Sequence, residues 1–159
     1  MFLLEKSLAY CLEGFLMAGA GLGMIGTRLK LSKMLIIASI YALAIHAVRT
    51  FYISNGIPFG THLFILYAVY VILLKFIGKQ HILKSLVATS ISLLLILWGE
   101  GTFLIPLIQI IKFDPASIGV KLGATLTAVA LTDIPLIIAF FVGYVFKFAP
   151  IDLEYFRMK

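Results

Sequence analysis

Five residues that carry charge or can acquire it stand inside long apolar runs: Glu13, His46, Arg49, Glu100 and Asp133. At the centre of a bilayer an ionised group costs from about 2.5 kcal/mol upward, so each needs a partner or a function. Three carboxyls face one guanidinium here, and His46 is neutral or protonated. Ionised together, the carboxyls would leave a negative site in a medium of low dielectric. One of them is therefore expected to hold its proton, or the group to recruit a cation. Arg49 is expected to grip one carboxylate in a bidentate pair. His62, beside an uncharged loop, joins the set as an interfacial ligand-binding residue. On the plainer reading, Arg49 and one acid merely lock two helices together while Glu13 snorkels to the interface.

Two of the acids keep unusual company. Glu100 lies in Trp98-Gly99-Glu100-Gly101-Thr102, where the glycines weaken a helix and Pro106 removes the hydrogen bond to the Thr102 carbonyl. Asp133 follows Thr132, and Pro135 frees the carbonyl of Leu131 in the same way. Each proline either builds a binding site or hinge from the freed carbonyl and the acid, or simply kinks a helix. Gly19, Gly23 and Gly26 share one face of the first helix, where small residues allow close approach within the bundle or between protomers. His81 is read as a surface residue, and the Phe and Tyr residues as lipid-facing or interfacial. Metal-type spacing of His and Cys is absent, as are a phosphate-cradling glycine loop, His-Glu-x-x-His and Gly-x-Ser-x-Gly. No catalytic residue, cofactor or metal is expected, and the chain is not read as an enzyme.

The elements that must position these residues follow from composition. Of 159 residues, 62% are hydrophobic and 13% charged, against roughly 45–50% and 25% in a soluble domain. A water-soluble monomer is excluded, and residues 1–159 read as a single integral membrane domain, an all-α polytopic bundle. Apolar runs fall at about 8–26, 34–53, 61–77, 85–111 and 122–146, each near the 20 or so residues that span a bilayer. The net charge of +6 gathers in short strings between runs, so the expected partner is the anionic leaflet of a cell membrane, not nucleic acid. Arg28, Lys30 and Lys33 follow the first run, Lys75, Lys79 and Lys84 surround the end of the third, and the loop from Ser54 to Gly60 has no charge. The positive-inside rule then places the N-terminus outside and the C-terminus inside a plasma membrane. Lys147, Arg157 and Lys159 agree with this, whereas Lys112 and Lys121 run against it. The first run is read as a retained helix, because it lacks a basic start and a small-residue cleavage pattern. A six-helix alternative splits the fourth run near Gly99 to Pro106; tilt of one long helix accommodates the excess length more simply.

The order of these features resembles the membrane sensor region of peptide-quorum-type bacterial sensor histidine kinases. The resemblance is carried by a first helix opening at Phe2-Leu3-Leu4-Glu5, a basic connection, a helix ending near Arg49 before Ile57-Pro58-Phe59-Gly60-Thr61-His62, and Leu-rich helices with Glu100 inside one of them. It implies several helices and a cytoplasmic C-terminus leading to a kinase module. These residues hold no phospho-acceptor helix and no nucleotide-binding region, so phosphotransfer is not expected of this chain. Two functions follow. One is a sensor-like or interaction protein that takes an apolar or peptide ligand at the outer loop and the polar groups beneath it. The other is a small proton- or cation-linked transporter or channel subunit, acting as a homo-oligomer or with a membrane partner protein.

Overall fold

Turns come at the basic strings after the first and third apolar runs and at the uncharged string from Ser54 to Gly60 after the second. The structure, a computed structural model, describes residues 2–57, 60–106 and 124–151. The expectations placed on Pro58, Phe59, Lys112, Lys121, Arg157 and Lys159 lie outside the described residues. Helices run over Phe2–Met24 (α1), Leu31–Ser54 (α2), His62–Phe76 (α3), Ile82–Gly99 (α4), Ala124–Thr132 (α5) and Ile134–Phe140 (α6). Wider π-type turns over Glu100–Leu104 and Phe141–Val145 continue α4 and α6. Among the described residues three helices are long and apolar enough to cross a membrane: Leu3–Met24, Leu31–Ser54 and Ile82–Leu104. A fourth passes only as the bent pair of α5 and α6, which meet at 59°, and α3 is a shorter apolar helix.

Over its described residues, which end at Pro106, the fourth run is one continuous helix with no split near Gly99. Pro106 offers no N–H to Thr102, and the ladder widens just before it, with the Ile105 N–H reaching back five residues to the Glu100 carbonyl. The break falls instead in the fifth run. Asp133, at φ −86 and ψ 0, ends α5 and opens α6, with Pro135 in the first turn of α6.

α1 is the axis of the bundle, packing against α2, α4, α5, α6 and the last π-type turn. Its small residues explain this centrality. A Cβ on Gly14 would come within 2.9 Å of the Tyr41 ring, and one on Gly23 within 2.8 Å of the Gly143 backbone. A Cβ on Gly19 would collide with the Phe140 ring, and one on Gly21 with the Ala88 carbonyl. Gly19 and Gly23 thus pack inside the bundle. Gly26 does not share their role; at φ +77 it ends α1, with the Thr27 N–H bonded back to Leu22, a conformation that costs glycine little. On α4, Ser85, Thr89 and Ser92 are buried, and Ser92 donates to the Met17 carbonyl of α1 at 2.9 Å.

Helix ends alternate between two poles. The α1–α2 and α3–α4 connections line one cleft. The last π-type turn reaches the same pole, where Tyr144 donates to the Leu29 carbonyl at 2.9 Å and the Ile151 N–H to Met24 at 3.1 Å. At the opposite pole the Leu126 N–H, near the start of α5, donates to Glu5 at 3.3 Å. The broken pair therefore traverses the bundle from one pole to the other.

Candidate functional site: a buried polar cluster

α1 and α2 run antiparallel, so the far half of α2 lies beside the near half of α1. Tyr41, Ile45 and Arg49 recur every fourth residue and form one face of α2. Across from them α1 presents Tyr10 and Glu13, one turn apart. Between these helices and α3 and α4 lies a cavity of about 50 Å³, lined among others by Glu13, Tyr41, Arg49, His62 and Thr89. Space of this size holds a few water molecules.

Arg49 is held from the outer side. Its Nη1 donates to the Tyr10 hydroxyl at 2.6 Å, and its guanidinium lies 4.8 Å from the centre of that ring, within cation–π range. Its Nε is buried without a hydrogen bond. Glu13 shares the cavity with Arg49 and interacts with it electrostatically. Asp133 arrives from the other side. It is 1% exposed, neither carboxyl oxygen has a hydrogen-bond partner, and it acts electrostatically on Glu13 and Tyr41. Tyr41 senses Glu13, Arg49 and Asp133 together, and so marks the centre of the cluster. Its ring meets Tyr70 edge-on at 4.8 Å, and the Tyr70 hydroxyl donates to the Gly14 carbonyl at 2.7 Å.

His62 joins this cluster to the loop at the same pole. It is buried, lines the cavity, and accepts the Gly60 N–H on Nδ1 at 3.1 Å. That bond makes Nδ1 an acceptor, so neutral His62 carries its proton on Nε2. Tyr52 packs edge-on against the His62 ring at 5.9 Å, and its hydroxyl accepts from Thr61 at 3.0 Å. The uncharged loop is thus tied to the top of the cavity.

Of the six residues singled out in the sequence, Glu13, Arg49 and His62 line one cavity and Asp133 interacts with it. His46 stands aside, between Ser7 at 3.1 Å and the Tyr10 ring at 5.1 Å; it buttresses Tyr10 without entering the cavity. Glu100 does not join. It is exposed where the wider turn continues α4, within the candidate span Ile82–Leu104 and on the side of the helix away from the cavity. Gly99 takes the inward position there, against the Thr132 carbonyl. The bidentate grip expected of Arg49 is replaced by its bond to Tyr10.

The tyrosines correct a second expectation. Tyr10, Tyr41, Tyr52 and Tyr70 are buried and take no lipid-facing place, whereas Phe51, Phe64, Phe76 and Trp98 are exposed. Tyr10 and Tyr41 were legible as neighbours of Glu13 and Arg49 at helical spacing; Tyr70 carried no such signal. His81 is exposed and caps α4, accepting the Leu83 N–H. Among the described residues no group of three His, Cys, Asp or Glu could hold a metal ion. Neither a protein-family model, nor a curated protein, nor a solved structure matches the chain.

Proposed function

We propose that the chain is a membrane-embedded, sensor-like module in which the loop around Ser54 to His62 receives a signal and the buried cluster responds to it. The observation that carries this reading is the double membership of His62, which closes the loop through Gly60 and walls the cavity shared by Glu13 and Arg49. A contact that moves the loop moves a wall of the charged cavity. The cavity, at about 50 Å³, is far below the roughly 300–1,000 Å³ of ligand pockets. An apolar or peptide ligand therefore rests on the loop, and only water, a proton or a small cation enters beneath.

The proposed topology has five spans, the last broken at Asp133, with the N-terminus outside and the C-terminus inside a bacterial plasma membrane. In its favour, the two basic connections and the end of the last helical pair share one pole, as cytoplasmic retention of Lys and Arg requires. α3, at 15 residues, covers about 22 Å, short of the roughly 30 Å hydrocarbon core. Local thinning and snorkelling of Lys75 meet that mismatch.

A second reading is favoured by Asp133. A buried carboxyl with both oxygens unbonded, at the break of a bent helix pair, is the arrangement from which membrane bundles carry protons or cations. On that reading the chain is a transporter or channel subunit completed by oligomerisation. Purified protein in liposomes separates the two. For a sensor, a pH-sensitive dye inside the vesicles reports no proton flux under an imposed potential, while His62→Ala shifts the Arg49 side-chain NMR resonance. Proton flux that Asp133→Asn abolishes, with the Arg49 resonance indifferent to His62, establishes transport instead.

A further inference from the structure

The pole opposite the cluster carries a second concave feature, a cleft of about 430 Å³ lined by Arg28, Leu29, Lys30, Lys33, Gly78, Lys79 and Gln80. Four of these seven residues are cationic and none is acidic. Two separate connections build it, so chain continuity does not force the charges together. Gathering four like charges around one concavity costs repulsion that an anion in the cleft would remove. The backbone adds to this. α2 starts at the cleft from Lys30 with no side-chain cap, which turns the positive end of its dipole toward the same space. Lys79 holds φ +55, a left-handed conformation that is unfavourable for a non-glycine residue.

One wall is tied within the chain, yet one cation is weakly committed. The side-chain nitrogen of Gln80 donates to the Gly78 carbonyl at 3.0 Å, fixing the Gly78–Gln80 wall. Arg28 reaches the Gly143 carbonyl only at 3.4 Å from both Nε and Nη2, long for a charge-assisted hydrogen bond. A phosphate, which accepts two parallel N–H donors from a guanidinium, outcompetes such a contact. Apolar side chains surround the charged cleft in sequence: Leu31 is 55% exposed and Phe76 69%, and Leu35 and Leu83 are exposed as well. An inorganic anion has no use for them, whereas acyl chains lie against them.

We propose that this cleft binds the phosphate of one anionic phospholipid headgroup, with Arg28 and Lys79 from opposite walls as its principal ligands and the acyl chains along the exposed residues of α2 and α3. The site does not depend on what the buried cluster does.

The test uses the full chain in mild detergent. After passage through mixed vesicles of three parts phosphatidylcholine to one part phosphatidylglycerol, native mass spectrometry should show one retained phosphatidylglycerol per chain. Phosphatidylglycerol, but not phosphatidylcholine, should raise the thermal midpoint, and 0.5 M salt should weaken the effect. Arg28→Gln with Lys79→Gln should lower retention at least fivefold, while Lys6→Gln, at the other pole, keeps it. If the double variant does not fold, as judged by gel filtration, Lys30→Gln alone should still lower retention. Equal retention by the cleft variants and by the Lys6 variant overturns the proposal. Stabilisation by inorganic phosphate alone, equal to that by the lipid, assigns the cleft to a free anion and overturns the lipid.

Discussion

Glu100 and Asp133 have nearly the same sequence surroundings and opposite fates. Each stands in an apolar run near a threonine, and each is followed by a proline that deletes one helical hydrogen bond. At Glu100 the missing bond is absorbed by a wider turn in a helix that runs on, and the acid is exposed. At Asp133 the pair of helices bends by 59° and the acid is buried, with both oxygens unbonded. The difference lies in what packs opposite. Gly99 admits the Thr132 carbonyl so closely that α4 presses on the break itself. Asp133 then faces α1 and α2, where Glu13 and Tyr41 stand. A proline permits a break, and the neighbouring helix decides whether one forms and which way the acid turns.

The strongest way to sharpen the contrast is to remove the cation on the buried side. Arg49→Met leaves Glu13 without its basic neighbour, and breaking a buried charge group in this way costs about 3–5 kcal/mol. Thermal or denaturant unfolding in detergent should show that loss, and adding Glu13→Gln should recover most of it. Failure of the second change to rescue the first would mean that Arg49 acts through packing alone.

Next in size is a comparison of the two glycines around Glu100. Gly99→Ala drives a methyl group into the Thr132 carbonyl, a backbone atom that cannot swing aside, and such overpacking costs about 1–3 kcal/mol. Gly101 meets nothing within 4 Å, so Gly101→Ala should gain up to about 0.5–1 kcal/mol from reduced backbone freedom. Unfolding of the two variants side by side checks the sign of each. Smaller again is Tyr10→Phe, which removes the acceptor of Arg49 Nη1; water can replace that part-buried bond, so the cost should be about 0.5–1.5 kcal/mol. Deleting the cation–π partner as well, with Tyr10→Ala, should cost more than Tyr10→Phe.

These contrasts show where sequence reading succeeded. The apolar runs, the basic connections and the uncharged loop were all visible, because hydrocarbon thickness and the cost of charge act on composition directly. Glu13, Arg49, His62 and Asp133 were visible as charge or imidazole in costly places. That Glu100 faces away from the cavity was hidden, because the side of α4 an acid takes depends on what packs against that helix. Gly99, not Glu100, takes the inward position beside Thr132. The break at Asp133, rather than near Gly99, was equally hidden, since both prolines obey the same local rule and only the packing of Gly99 on Thr132 separates them. Tyr70 and the cleft between the two basic connections arise from tertiary contact alone.

The smallest expected effect belongs to Glu100 itself, and it decides whether the contrast is real. An exposed acid outside the cavity should be replaceable: Glu100→Gln should leave the unfolding midpoint within error of the parent. Exposure can be read directly by placing single cysteines in a Cys11→Ser background, since Cys11 is the chain's one cysteine. Glu100→Cys should react within minutes with a small maleimide, added to the folded protein in mild detergent. Asp133→Cys, at a position 1% exposed, should react only after unfolding. Prompt labelling at both positions would show that water reaches the break. It would make the bend at Asp133 an open gate, and the transport reading would then gain over the sensing one. Protection of both would place Glu100 against lipid or a partner helix, and the two acids would no longer differ in kind.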